Sequence, residues 1–334
     1  MRAFLFPGQG TQRPGMGQRL CAAFAPAREV FAAASDVLGF SVQDVCFGDR
    51  TALLASTRYA QPVVFTCSMA SLAVLADAGL TPDAVAGHSV GEFAALVAAG
   101  VVGFEDAIRS LAVRGALMQQ TAPGAMAVVL GLPADDVVAL RQKVSAPDAV
   151  VVGLYNGPTN VVVSGARAAV EEISALAKAA GALRVIAMAT DRAFHSPLME
   201  PVVAAWDAHL EGVTFRPPQL PVALCTTGRT AADPEEIRRA TVAQLTSPVR
   251  WADVMDELVG LGMDTAVEVG ESKTLCGFVR MLDRGLGTET TQDVRWLDTV
   301  VREGYTVVGH GATAMERMAR VDTMVRRGGF DAVS

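Results

Sequence analysis

The sequence predicts an α/β protein in which a large domain with a parallel central sheet is interrupted by a small domain of β-α-β-β-α-β order. Three observations carry that reading. Short apolar runs at residues 2–6, 84–86, 222–224 and 265–269 alternate with helical patterns, as the strands of a parallel sheet do when helices connect them. Between about residues 125 and 194 the texture changes to four β runs and two helices in the split order of ferredoxin-like domains. The six residues Gly87-His88-Ser89-Val90-Gly91-Glu92 join a strand to a helix through a turn tight enough to need glycine on either side of the serine.

Taken in order, residues 2–6 read as a buried strand running into Pro7-Gly8-Gln9-Gly10-Thr11-Gln12, a loop that brings backbone amides and two carboxamides together. Residues 22–38 read as one helix. Residues 56–62 read as a loop whose Pro62 opens a helix to about residue 78, proline being favoured at the first helical position. After the turn at Ser89 and its helix at 93–97, Gly103-Phe104-Glu105-Asp106 starts a helix through Leu111, Arg114, Leu117 and Met118. Leu111 and Met118 mark its apolar face. Arg114, one turn from each, either snorkels from the edge of that face or serves as a ligand within it, and spacing leaves both open.

The small domain predicts strands at 126–130, 150–155, 161–164 and 183–189, with helices at 134–144 and 168–180. Past Asp191-Arg192-Ala193-Phe194-His195-Ser196, the chain predicts a helix from 197 to about 210, a strand at 222–224, a helix capped by Asp233-Pro234, the segment 244–251, a helix to 261 and a strand at 265–269. The domains are therefore read as 1–125 with 195–299 (large), 126–194 (small) and a tail at 300–334. The tail carries a helical pattern over 313–325 and no assigned role.

Composition narrows the function. Of 334 residues, 51% are hydrophobic and 19% charged, which describes a globular protein. The net charge of −7, with no Lys/Arg cluster longer than Arg238-Arg239 or Arg326-Arg327, argues against nucleic acid. No uninterrupted apolar run of about 18 residues occurs, and the N-terminal apolar block is too short for a signal peptide, so the expectation is a cytoplasmic protein without a membrane partner. Five scattered cysteines with no Cys-x-x-Cys pair predict neither a disulfide framework nor a zinc site, and no metal or tightly bound cofactor is expected.

Ser89, exposed at a strand end and facing a helix N-terminus, has the placement of a nucleophile whose oxyanion the helix would stabilise. Glycine-bracketed serines also arise by chance in chains rich in Gly and Ala. A serine hydroxyl needs a base within hydrogen-bond reach. Of four histidines, His88 points away from its neighbour and reads as a packing residue, His209 lies in a helix and His310 in the tail. His195, in the loop returning from the small domain, is the best candidate.

The set Phe6-Pro7-Gly8-Gln9-Gly10-Thr11-Gln12, Gly87 to Glu92, Arg114-Gly115 with Met118-Gln119, Ala193-Phe194-His195-Ser196 and Gln244 to Trp251 resembles, in order and spacing over roughly residues 1–285, the malonyl-CoA:acyl-carrier-protein transacylases and the acyltransferase domains of polyketide synthases. The resemblance implies an α/β-hydrolase-like large domain and a ping-pong reaction. Ser89, with His195 as base, would take a malonyl group from malonyl-CoA and pass it to the phosphopantetheine thiol of an acyl carrier protein of fatty-acid or polyketide synthesis. It implies that the Gln244 backbone carbonyl orients the base, that Val90 and Gln9 supply the oxyanion-hole amides, and that Arg114 binds the acyl carboxylate with Gln61 beside it. Phe194, preceded by Ala193, implies malonyl in preference to methylmalonyl, and Val90 agrees. Met118 and His88 complete the pocket.

Two departures, Arg192 before Ala193 and Cys225 where relatives often carry Asn, leave room for a nonstandard extender unit. The other alternative is a serine thioesterase acting on carrier-bound acyl groups. The resemblance further implies a monomer acting in trans on its carrier protein, with Lys178, Arg184, Arg250, Lys273 and Arg280 as candidate docking residues.

Overall fold

The computed structural model describes residues 1–282 and 285–303. The predicted helix at 313–325 lies outside them. The chain opens with β1 (Arg2–Phe6), α1 (Gln18–Ala23), α2 (Ala25–Leu38), α3 (Val42–Cys46) and α4 (Thr57–Asp77). It continues through β2 (Ala84–Gly87), α5 (Glu92–Ala98) and α6 (Phe104–Gln119). The small sheet and its helices follow as β3 (Ala125–Leu130), α7 (Ala134–Arg141), β4 (Val150–Gly157), β5 (Asn160–Gly165), α8 (Arg167–Ala179) and β6 (Arg184–Ala187). The chain then returns with α9 (Val203–Glu211), β7 (Val222–Leu224), β8 (Arg229–Ala231), α10 (Pro234–Ala243) and α11 (Trp251–Gly260). It closes with β9 (Thr265–Glu268), α12 (Thr274–Met281), β10 (Gly287–Thr290) and α13 (Val294–Glu303).

The large sheet has the order β10-β9-β1-β2-β7-β8 and is parallel except for the β7–β8 hairpin at its edge. Residues Ala3 to Phe6 of its central strand have no exposed surface, as expected of a parallel strand covered by helices on both faces. In register, Phe6 lies beside Gly87. The loops that follow β1 and β2 therefore leave the carboxyl edge of the sheet side by side, where sites form in this class of fold.

The small sheet has the order β4-β5-β3-β6, antiparallel throughout, which is the ferredoxin-like arrangement. Its own apolar cluster is built around Val129, Val137, Val161 and Ile173. Edge strand β4 is stitched to the large domain by Tyr155 N–H to Val249 O (2.8 Å) and Val249 N–H to Gly153 O (2.9 Å). The segment before α11 thus extends the small sheet.

Three predicted elements differ. The helix expected over 22–38 is two, because Phe24 turns extended and caps α2, whose Pro26 sits in the first turn where its missing N–H costs nothing. Pro62 does not open its helix: α4 begins at Thr57 and Pro62 lies inside it. The early start lets α4 pack against α6 at Gly115, where a Cβ would lie 2.7 Å from Thr57 O. That packing outweighs one lost helical hydrogen bond. The helix expected from 197 is a 3₁₀ turn (Pro197–Val202) followed by α9, divided at Pro201. Strands β8 and β10 carry too few apolar residues to be seen in the sequence.

Candidate active site

The turn after β2 requires both of its glycines. A Cβ on Gly87 would overlap the backbone of Gly91, and one on Gly91 would overlap Phe6 O. Between them Ser89 has φ +53°, and His195 has φ +56°. Among the described residues these are the two that are not glycine and have positive φ, a strained conformation that persists only where the surroundings enforce it. At His195 the enforcement is visible. Ser164 Oγ donates to Phe194 O (2.6 Å), Ser196 Oγ donates to Ala193 O (2.6 Å), and Gly124 N–H bonds Asp191 O (2.8 Å).

The two strained residues meet. Ser89 Oγ lies 2.8 Å from His195 Nε2, and His195 Nδ1 lies 2.9 Å from the Gln244 backbone carbonyl. A carbonyl can only accept, so Nδ1 carries the proton and the Nε2 lone pair faces the serine. Burial first, and then the charge of Arg114, lowers the His195 pKa to about 3, with the Gln244 carbonyl pulling the other way. The imidazole is held neutral, with Nε2 facing the serine hydroxyl.

Gln9 follows Gly8, whose Cβ would sit 2.5 Å from His88 O. The loop after β1 is thereby packed directly on the serine turn. Among the described residues the Gln9 N–H has no acceptor, and the Val90 N–H lies in the single 3₁₀ turn that Ser89 begins. The Gln9 side chain is tied down separately, donating to Thr57 Oγ1 (3.1 Å) and accepting from Gln61 Nε2 (3.3 Å).

Arg114 is 1% exposed, which excludes the snorkelling alternative. Nη1 donates to Gln61 Oε1 (2.9 Å) and Nη2 to Gln244 Oε1 (2.7 Å). No carboxylate pairs directly with the guanidinium among the described residues, and its Nε, though buried, has no partner. Met118 Sδ accepts from Gln61 Nε2 (3.3 Å), and Phe194 is buried beside the base. His88 does more than pack. Its Nε2 bonds Asn156 Oδ1 (2.9 Å) on β4, and its ring meets Trp251 edge-on at 5.3 Å.

The geometry brings together a serine hydroxyl, a neutral imidazole on it, a carbonyl on the imidazole, a β1 loop packed on the serine turn and a buried cation with unused donors. Such a set has the groups that acyl transfer to and from a substrate with an anionic end requires.

The acyl transferase domain family matches residues 3–302. The chain is 34% identical over 304 residues to the malonyl CoA-acyl carrier protein transacylase of Bacillus subtilis (strain 168), covering 90% of this chain and 96% of the relative. It belongs to the malonyl CoA-acyl carrier protein transacylase family. The corresponding protein of Staphylococcus aureus (strain COL) is 35% identical over 300 residues, 88% of this chain and 97% of its own. Among solved structures, a malonyl-transacylase in complex with a type II PKS acyl-carrier protein superposes with TM-score 0.87 at 34% identity, over 90% of this chain and 99% of that one. An acyl carrier protein S-malonyltransferase from Vibrio cholerae gives 0.84 at 34%, over the same shares. The family match extends past residue 285 to include β10 and nearly all of α13.

Within this family site, sequence reasoning passed over Glu92, Asn156 and Thr57. Glu92 alone gave a signal, as an acidic residue opening an otherwise apolar helix. The two departures have local causes. Arg192 donates through Nε and Nη2 to Gln119 O (3.2 and 2.8 Å), capping the end of α6. Cys225 is buried, with its Sγ 3.4 Å from Gln244 Nε2. Of the basic residues considered for docking, Arg250 pairs with Asp253 (2.6 Å) and Arg280 donates to Thr288 Oγ1 (3.2 Å). Arg184 lies on β6, the edge of the small sheet opposite β4, with Lys178 on the preceding helix, while exposed Lys273 precedes α12.

Proposed function

We propose that this chain moves a malonyl group from CoA to the phosphopantetheine thiol of an acyl carrier protein through an ester on Ser89. Ser89 Oγ attacks the thioester carbonyl while His195 Nε2 takes its proton. The oxyanion is met by the N–H groups of Val90 and Gln9, and as the C–S bond breaks His195 returns the proton to the sulfur, so CoA leaves as the thiol and the base is neutral again. In the second half the carrier thiol gives its proton to His195 and attacks the ester, and Ser89 leaves reprotonated. The observation that carries the reading is Arg114. Among the described residues no carboxylate touches this buried guanidinium, and its spare N–H donors are left for a direct anionic partner that the substrate can supply. A malonyl carboxylate fits it with two parallel hydrogen bonds and disturbs neither Gln61 nor Gln244. The names of the relatives support the same donor and acceptor.

Phe194 fills space that an α-methyl group would occupy, which supports malonyl over methylmalonyl by about 1–3 kcal/mol. A thioesterase would use the same serine and base. The two are separated by isolating the malonyl-enzyme and comparing its decay in buffer with its decay after addition of holo carrier protein. Transfer requires slow decay in buffer and prompt appearance of malonyl-carrier, whereas equal decay in both, yielding free malonate, would favour the hydrolase.

The low His195 pKa sets the pH behaviour. The neutral base is the active form, and it is lost only as pH falls toward about 3 rather than through the ordinary value near 6.5. Single-turnover malonyl loading is therefore expected to stay level from pH 7 to about pH 5. A loading rate that instead declines about tenfold per unit below pH 6.5 would show an unperturbed imidazole.

A further inference from the structure

Glu92 opens α5 immediately after the serine turn and has no exposed surface. Both carboxylate oxygens are engaged by donors: Oε2 accepts the Cys225 N–H (2.7 Å) and Oε1 accepts Gln244 Nε2 (2.8 Å). Burial pushes its pKa up, while these donors and the charge of Arg114 pull it down. A donor on each oxygen favours the ionised form of the carboxyl.

The consequence passes through Gln244. Its amide nitrogen faces Glu92 and Cys225 Sγ, so its oxygen must face the other way, onto Arg114 Nη2. A rotated amide would set its NH₂ against the guanidinium and its oxygen against the carboxylate, two repulsions in a dry site. The carboxylate also stands one amide away from the guanidinium. Direct pairing would satisfy Arg114 and leave nothing for a substrate. No charge at all would leave the cation uncompensated in the core.

We propose that Glu92 is a positioning residue for acyl-group selection: its buried carboxylate fixes the Gln244 amide with the oxygen on Arg114 and compensates that cation from a distance, keeping its remaining donors available for an acyl carboxylate. The inference rests on the transfer function proposed above.

The test compares kcat/KM for malonyl-CoA and acetyl-CoA, with holo carrier protein as acceptor, in the wild-type protein and in E92Q, E92D and R114A, each checked by thermal melting. In E92Q one end of the new amide faces a donor with a donor, so the malonyl-to-acetyl ratio is expected to fall tenfold or more, mainly through KM for malonyl-CoA. E92D keeps the charge with a shorter reach, and a shift of about threefold in the same direction is expected. If E92Q does not fold, E92D decides. A ratio within twofold of wild type in the variants that fold, with both substrates losing rate in proportion, would reduce Glu92 to a structural role. Loss of malonyl preference in R114A alongside an unmoved ratio in E92Q overturns this inference alone. A wild-type protein that does not prefer malonyl overturns the function and this inference with it.

Discussion

Ser89→Ala is expected to lower malonyl transfer to a carrier protein by about 10⁴-fold or more, because in the proposed reaction the acyl group is carried on this hydroxyl. The substitution removes one oxygen from a half-buried position, and among the described residues Ser89 Oγ bonds only His195. The folded structure has little to lose. Melting should change by less than the assay can attribute to stability, while His195 remains neutral beside an empty methyl-sized space. Residual turnover within tenfold of wild type, measured with the contaminating wild-type enzyme excluded, would mean that the acyl group is carried elsewhere or transferred directly.

Arg114→Ala is expected to cut kcat/KM for malonyl-CoA by roughly 30-fold to several-thousand-fold, the range for removing one partner of a buried charge pair at about 2–5 kcal/mol. Acetyl-CoA has no carboxylate to strand, so its kcat/KM should fall far less and the preference should pass toward acetyl. A second effect works against the loss and leaves the preference unchanged. The charge of Arg114 lowers the pKa of His195, so its removal raises the basicity of the imidazole for either substrate. The variant also leaves Gln61 Oε1 and Gln244 Oε1 without the donor each now has, a cost that falls on stability and is read separately by melting. Equal losses for malonyl and acetyl would show that Arg114 supports the fold and does not read the acyl group.

Much of this was legible from residue order. The Gly-x-Ser-x-Gly turn announces its own geometry, because only glycine fits where Gly87 and Gly91 meet backbone. The split order of the small domain could be read since its strands and helices are strongly patterned. The role of Arg114 could not be read from spacing. Whether an arginine on a helix edge is buried depends on what packs above it, and here that is α4, whose start the sequence hid behind Pro62. Glu92 was hidden for a related reason: its partners, Cys225 and Gln244, lie more than 130 residues away and are brought to it only by the sheet. β8 and β10 were missed because edge strands need no apolar run, and their polar residues look like loop.

The central claim is that Ser89 becomes an acyl ester and passes its acyl group on. Brief exposure to malonyl-CoA, acid quench and peptide mass spectrometry measures it directly. The account predicts one malonyl group per chain, mapped to Ser89, that disappears when holo carrier protein is added and reappears on the phosphopantetheine thiol. A protein that produces malonyl-carrier while Ser89 stays unmodified at every time point would contradict it.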